Sequence, residues 1–137
     1  MKTAVKKYLK FFLVSGLFVL SMNHAGVSVA ADTLSADQLR PLIVGKTATL
    51  FNLARGFDVE VYFSPDGTLA GENITVNKKL KGNWEITDDG LLCTVSNLAA
   101  KTCGSFVANG DGTYKRMVDG AHEQTYKAFS GGNPKSY

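Results

Sequence analysis

Residues 57 to 63, FDVEVYF, alternate without a break. Phe57, Val59, Val61 and Phe63 fall on one face, and Asp58, Glu60 and Tyr62 on the other. Successive side chains of a strand point to opposite faces, so this stretch predicts a strand with one face buried. GNWEI, 82 to 86, keeps the habit, with Gly82, Trp84 and Ile86 opposite Asn83 and Glu85. Similar runs predict strands over 46–51, 68–76, 91–96, 102–108, 113–118 and 123–129. Within 68–76 the apolar phase flips between Leu69 and Ile74, which predicts a β-bulge near Gly71. Only 35–44, SADQLRPLIV, has helical spacing. Ser35 and Gln38 stand in capping-box relation, Leu39, Leu42 and Ile43 form an apolar stripe, and Gly45 suits the stop. Pro41 lacks a backbone donor and is awkward there unless the helix starts late.

The turns carry the strongest regularity. Asp66-Gly67, Asp89-Gly90 and Asp111-Gly112 recur 23 and then 22 residues apart. Asp-Gly suits the positive φ of tight hairpin turns. That period holds two strands, a tight turn and a longer return. The pattern therefore predicts an all-β domain with one short N-terminal helix. Its body is an eight-stranded antiparallel meander closed as a small barrel, because closure removes exposed sheet edges. A two-sheet β-sandwich is the alternative.

The N-terminus changes the charge picture. Lys2, Lys6, Lys7 and Lys10 precede an apolar run from Phe11 to Leu20, and small residues follow up to Ala30 and Ala31. That order predicts a secretory signal peptide over 1–31, with a run too short to span a bilayer comfortably. A helical segment at 32–45, a barrel at 46–130 and a tail at 131–137 complete the expected organisation. The formal charge of +3 includes those four lysines; without them eleven basic residues face twelve acidic ones, a net of −1. The basicity therefore belongs to export and argues against nucleic-acid binding. Cys93 and Cys103 both follow the signal. In an oxidising compartment they predict one disulfide, and their spacing fits neither a zinc pair nor a redox CxxC. Cross-strand pairing of the two would set Thr94 against Thr102 and Val95 against Lys101, with the loop centred on Leu98.

The short helix, VYFSPDG, GNWEITDDGLLC, a second cysteine ten residues on, and GGNP near the end resemble a family of small secreted bacterial domains. That family is described as lipocalin-like and of unknown function. The resemblance implies a lipocalin-like barrel and a periplasmic or secreted address. It implies no catalytic residues.

Chemistry is sparse. His122 is the sole histidine after the signal, and no serine sits in a nucleophile elbow. Asp58, Glu60 and Glu85 fall on polar strand faces, so no acid–base pair is indicated. Asp88-Asp89-Gly90 and Asn109 to Thr113 read as turns rather than cation loops. Trp84 reads as core rather than as a cavity floor. An enzyme, a metal site and a cofactor are not expected. The longer returns at 52–56, 77–82, 97–101 and 119–123 should share one end of the meander. They would gather Arg55, Lys78, Lys79, Lys81 and Lys101, with His122 and Tyr126 nearby. The expected function is an exported binding module whose Lys-rich end contacts a small anionic ligand. A periplasmic interaction or inhibitor domain, gripping an acidic protein surface, is the alternative.

Overall fold

A computed structural model describes residues 32–137, and the expected signal segment 1–31 lies outside the described residues. One helix, α1 (Ala36–Ile43), precedes eight strands: β1 (Lys46–Asn52), β2 (Phe57–Phe63), β3 (Thr68–Asn73), β4 (Lys78–Ile86), β5 (Leu92–Ser96), β6 (Ala99–Ala108), β7 (Tyr114–Val118) and β8 (Ala121–Gly131). Each strand pairs with the next, and β8 returns to β1, so the sheet is a closed barrel rather than a sandwich. The interior is built from the alternation: Leu50, Val59, Val61, Phe63, Leu69, Leu92, Phe106 and Tyr126 are all buried.

The helix starts where the capping box places it. Ser35 accepts from the Gln38 backbone and Gln38 reaches back to the Ser35 backbone. Pro41 is tolerated inside the helix. Leu39 and Ile43 are 0% exposed and join the barrel core. The segment is bolted to one end of the barrel: Leu34 N donates to Phe106 O at 2.8 Å and Gly45 N to Phe63 O at 2.8 Å. The turns 64–67, 87–91 and 109–113 lie at that same end. A Cβ on Gly90 would come within 2.9 Å of Leu34 O, so the turn fits against the helix entry only as glycine.

Three expectations are corrected. The pairing of β3 with β2 and β4 has no register shift at Gly71; the strand stops at Asn73, and Ile74 belongs to a turn. Gly71 serves close packing instead, since a Cβ there would meet Glu60 O at 2.1 Å. The hairpin carrying the cysteines pairs Cys93 with Cys103 and Thr94 with Thr102, but a register shift then brings Ser96 opposite Ala99. The turn is therefore only 97–98, not a loop centred on Leu98. Lastly, the Asp-Gly turns are not the tightest. Gly67, Gly90 and Gly112 do have positive φ, but their aspartates do not. Asp66 Oδ1 instead accepts from Thr68 N at 2.9 Å and Thr68 Oγ1 at 2.6 Å, and Asp111 does the same with Thr113. The tight Asp-Gly turn is a fourth pair, Asp119-Gly120, with φ of 48° and 79°, which like 97–98 is a two-residue turn at the opposite end.

Candidate functional site

The two ends of the barrel differ. One is plugged by α1. The other, framed by 53–56, 74–77, 97–98 and 119–120, opens into a cavity of about 110 Å³. Leu50, Val59, Val61, Leu69 and Leu80 line its depth, while Asn52, Arg55, Ser96 and Gln124 stand toward the mouth. Alternation aims one side chain in two at this space, so both classes follow from the strand pattern.

Local hydrogen bonds hold the mouth in shape. Asn52 Oδ1 accepts from Arg55 N at 3.1 Å, and buried Asn73 accepts from Thr75 N and Val76 N at 3.1 and 3.3 Å. Arg55 Nη1 donates to Leu98 O at 3.2 Å, tying the first rim turn to the third. Leu53 N donates to Glu123 O at 2.9 Å, tying it to the start of β8. Leu53, Ile74 and Val76 are exposed on the rim, and Val95, also exposed, lines the cavity. The opening is thus fringed by apolar side chains.

The seven expected site residues divide. Arg55 and Tyr126 line the cavity. Lys78 begins β4 at the rim, opposite Asn73, and is exposed. The others leave the mouth. Lys79 and Lys81 alternate with inward Leu80 and Gly82, so they emerge on the outer wall, where Lys79 pairs with Glu72 at 3.0 Å. Lys101 pairs with Glu85 at 2.8 Å, also outside. His122 Nε2 lies 3.0 Å from Thr125 Oγ1, beyond the bulge that shifts β7 against β8. The expected cluster of lysines is therefore dispersed, because 78–81 is strand and not loop. Cys93 and Cys103 are joined, with S–S 2.02 Å and Cα–Cα 4.0 Å. Their strand phase is opposite to that of inward Leu92 and Thr94, so they face away from the cavity.

Two buried groups were not singled out by the sequence. Arg116, 1% exposed, lies inside the barrel. Its Nη2 donates to Leu92 O at 2.9 Å and to Thr102 O at 3.0 Å; its Nη1 donates to Gln124 Oε1 at 3.2 Å. Asn73, 5% exposed, is the other. Tyr114, Arg116 and Val118 alternate inward, and that phase was the available signal. Tyr126 is 1% exposed, and burial pushes its phenol up to about 12, against a smaller opposing pull from Arg116. It is a neutral hydrogen-bond donor at any physiological pH. Trp84 is half-buried against the core; it meets Phe63 edge-on at 5.6 Å and donates from Nε1 to Ser64 O at 3.0 Å. Among the described residues no group of three His, Cys, Asp or Glu side chains is placed to hold a metal ion, and no helix is long and apolar enough to cross a membrane. Comparison with known protein families, curated proteins and solved structures finds no match for this chain.

Proposed function

We propose that this domain is an exported binding module that holds one small, largely apolar molecule inside the barrel. The observation that carries the reading is the asymmetry of the ends: α1 seals one, while the other admits to a cavity of about 110 Å³ lined mainly by aliphatic and aromatic side chains. The space is somewhat smaller than the dry cavity of about 150 Å³ that takes up benzene, but it is open at the mouth, so it suits a compact molecule and not a long-chain lipid. Eight-stranded barrels have room for one such ligand when side chains do not fill them. The apolar rim of Leu53, Ile74 and Val76 suits the entry of an apolar solute. The basic, apolar and small-residue order of 1–31, the resemblance to small secreted lipocalin-like domains, and the joined cysteines support a periplasmic or secreted address.

The same rim supports a second reading, an interaction or inhibitor domain, since exposed apolar side chains on short stiff turns also suit a protein partner. The two separate on one substitution. Val59→Phe fills the cavity from below and leaves the rim untouched. Native mass spectrometry of the exported protein should show a bound small molecule in the parent and none in the variant, with circular dichroism unchanged. A partner protein retained by both forms, with no small molecule in either, sinks the cavity reading.

A further inference from the structure

Among the described residues Arg116 is the one buried charged side chain, and no ion pair balances it. The ion pairs of the described residues join Lys79 to Glu72, Lys101 to Glu85, Lys127 to Asp58 and Lys135 to Glu60, all involving solvent-exposed lysines. The inward strand positions that frame the cavity and the core carry no Asp or Glu. A guanidinium cannot shed its proton on burial. A buried charge without a counter-charge is costly, and proteins ordinarily pair it. Here the guanidinium lies across β6 at Gly104, where a Cβ would come within 2.9 Å of Arg116 Cγ and 3.0 Å of Nε. The fold has left room for it. Nη2 is engaged by carbonyls and the Thr102 hydroxyl, but Nε is buried with no acceptor.

Gln124 links this cation to the cavity. It lines the cavity wall, and its Oε1 is the acceptor for Arg116 Nη1 at 3.2 Å. A neutral amide oxygen thus stands between the cation and the space. Rotation of Gln124 about its own side-chain bonds would withdraw its amide and uncover Nη1 on the cavity side. Tyr126, also on the cavity wall, carries a phenol that stays protonated. Arg55 adds a second positive charge at the mouth.

We infer that the cavity takes a compact carboxylic acid, whose carboxylate displaces the Gln124 amide oxygen from Arg116 and whose apolar part lies along Leu50, Val59, Val61 and Leu80. This rests on the cavity reading given above and adds the charge of the ligand. A carboxylate supplies Nη1 with a charge-assisted hydrogen bond and the guanidinium with a counter-charge, neither of which a neutral amide oxygen can give. Net ligand charge is matched inside the barrel and not by the surface lysines, so added salt screens it weakly.

The experiment is isothermal titration calorimetry of the exported protein at pH 7 with benzoate and hexanoate, each set against its neutral amide, benzamide and hexanamide. The acids should bind at least tenfold more tightly than the amides. Arg116→Met should erase that preference while amide binding persists. Gln124→Glu keeps the shape and installs a carboxylate beside Arg116; it should raise the melting temperature and weaken acid binding at least tenfold, which serves if the methionine variant does not fold. Equal binding of acids and amides overturns the inference but leaves the cavity reading standing. So does an acid preference that survives in Gln124→Glu. Failure of all four probes to bind overturns both.

Discussion

Arg116 and Tyr126 face the same interior but respond to burial differently. Arg116 cannot neutralise, whereas the Tyr126 phenol simply stays protonated, pushed up to about 12. The sign of its linkage follows. The folded state holds the Tyr126 proton more tightly than the unfolded chain does, so this contribution is intact below the ordinary phenol range near 10. It is lost as pH rises through the folded value. Between pH 10 and 12 the parent should lose roughly 2–3 kcal/mol more stability than Tyr126→Phe, read as the difference between urea midpoints across that range. Gly82 is as constrained by space as Arg116 is by charge. A Cβ there would meet Val95 O at 1.9 Å and Ser96 Cα at 2.8 Å, both backbone atoms. Gly82→Ala should therefore cost about 2–3 kcal/mol, seen as a lowered denaturant midpoint with unchanged slope. Neither Arg116 nor Gly82 announced its role. Arginine in YKRMV reads as a surface residue by type, and only the phase set by Tyr114 and Val118 marks it as inward. Gly82 was read as one member of an alternating face, with no hint that β5 passes so near.

At the scale of elements, alternation was legible where strands are half-buried, and lysine content misled. The return expected over 77–82 is instead mostly strand: Lys is depleted in strands, but pairing with β3, and from Gly82 with β5, overrides that preference and makes 78–82 the first half of β4. The return expected over 119–123 shrinks to the pair Asp119-Gly120, which lies outside the 22-residue rhythm of the other Asp-Gly pairs. The helix was legible from its capping box, and its job as a plug was not. With Leu39 at 0% exposed, Leu39→Ala should cost about 2–4 kcal/mol, measured by thermal unfolding. The Cys93–Cys103 bridge closes a short stretch, with a sequence separation of 10, within a hairpin already paired on both sides. Its chain-entropy contribution is about 2.5–3 kcal/mol. Reduction should lower the melting temperature and leave a cooperative transition; thiols that alkylate in the native, unreduced protein would contradict the bridge. The C-terminal tail is a lighter attachment. The Tyr137 hydroxyl donates to Glu60 at 2.6 Å and Lys135 lies 2.9 Å from the same carboxylate. The Tyr137 hydrogen bond, opposed by partial burial and helped by Lys135, holds Glu60 below the usual carboxylate range. That stabilisation is present above the ordinary Glu value and fades as pH falls through the folded one. Deleting 133–137 should return the Glu60 titration, followed by NMR, toward ordinary values and cost under about 1 kcal/mol.

For the whole molecule, the decisive contact is the seam between the first strand and the last. Lys46 lies opposite Gly131, Thr47 Oγ1 donates to Gly132 O at 2.7 Å, and Gly132 N donates to Gly45 O at 2.9 Å. Closure is what leaves an interior with two ends, one plugged by the helix and one opening into the cavity. It also sets an order of events. An open sheet can grow strand by strand and be useful at each stage, but a ring has no finished form until its last member arrives. Seams that join distant parts of a chain are entropically slow to form, on a scale of about milliseconds to seconds. A chain fed end-first through a narrow channel thus stays threadable while β8 is still behind, and locks only when all of it has crossed.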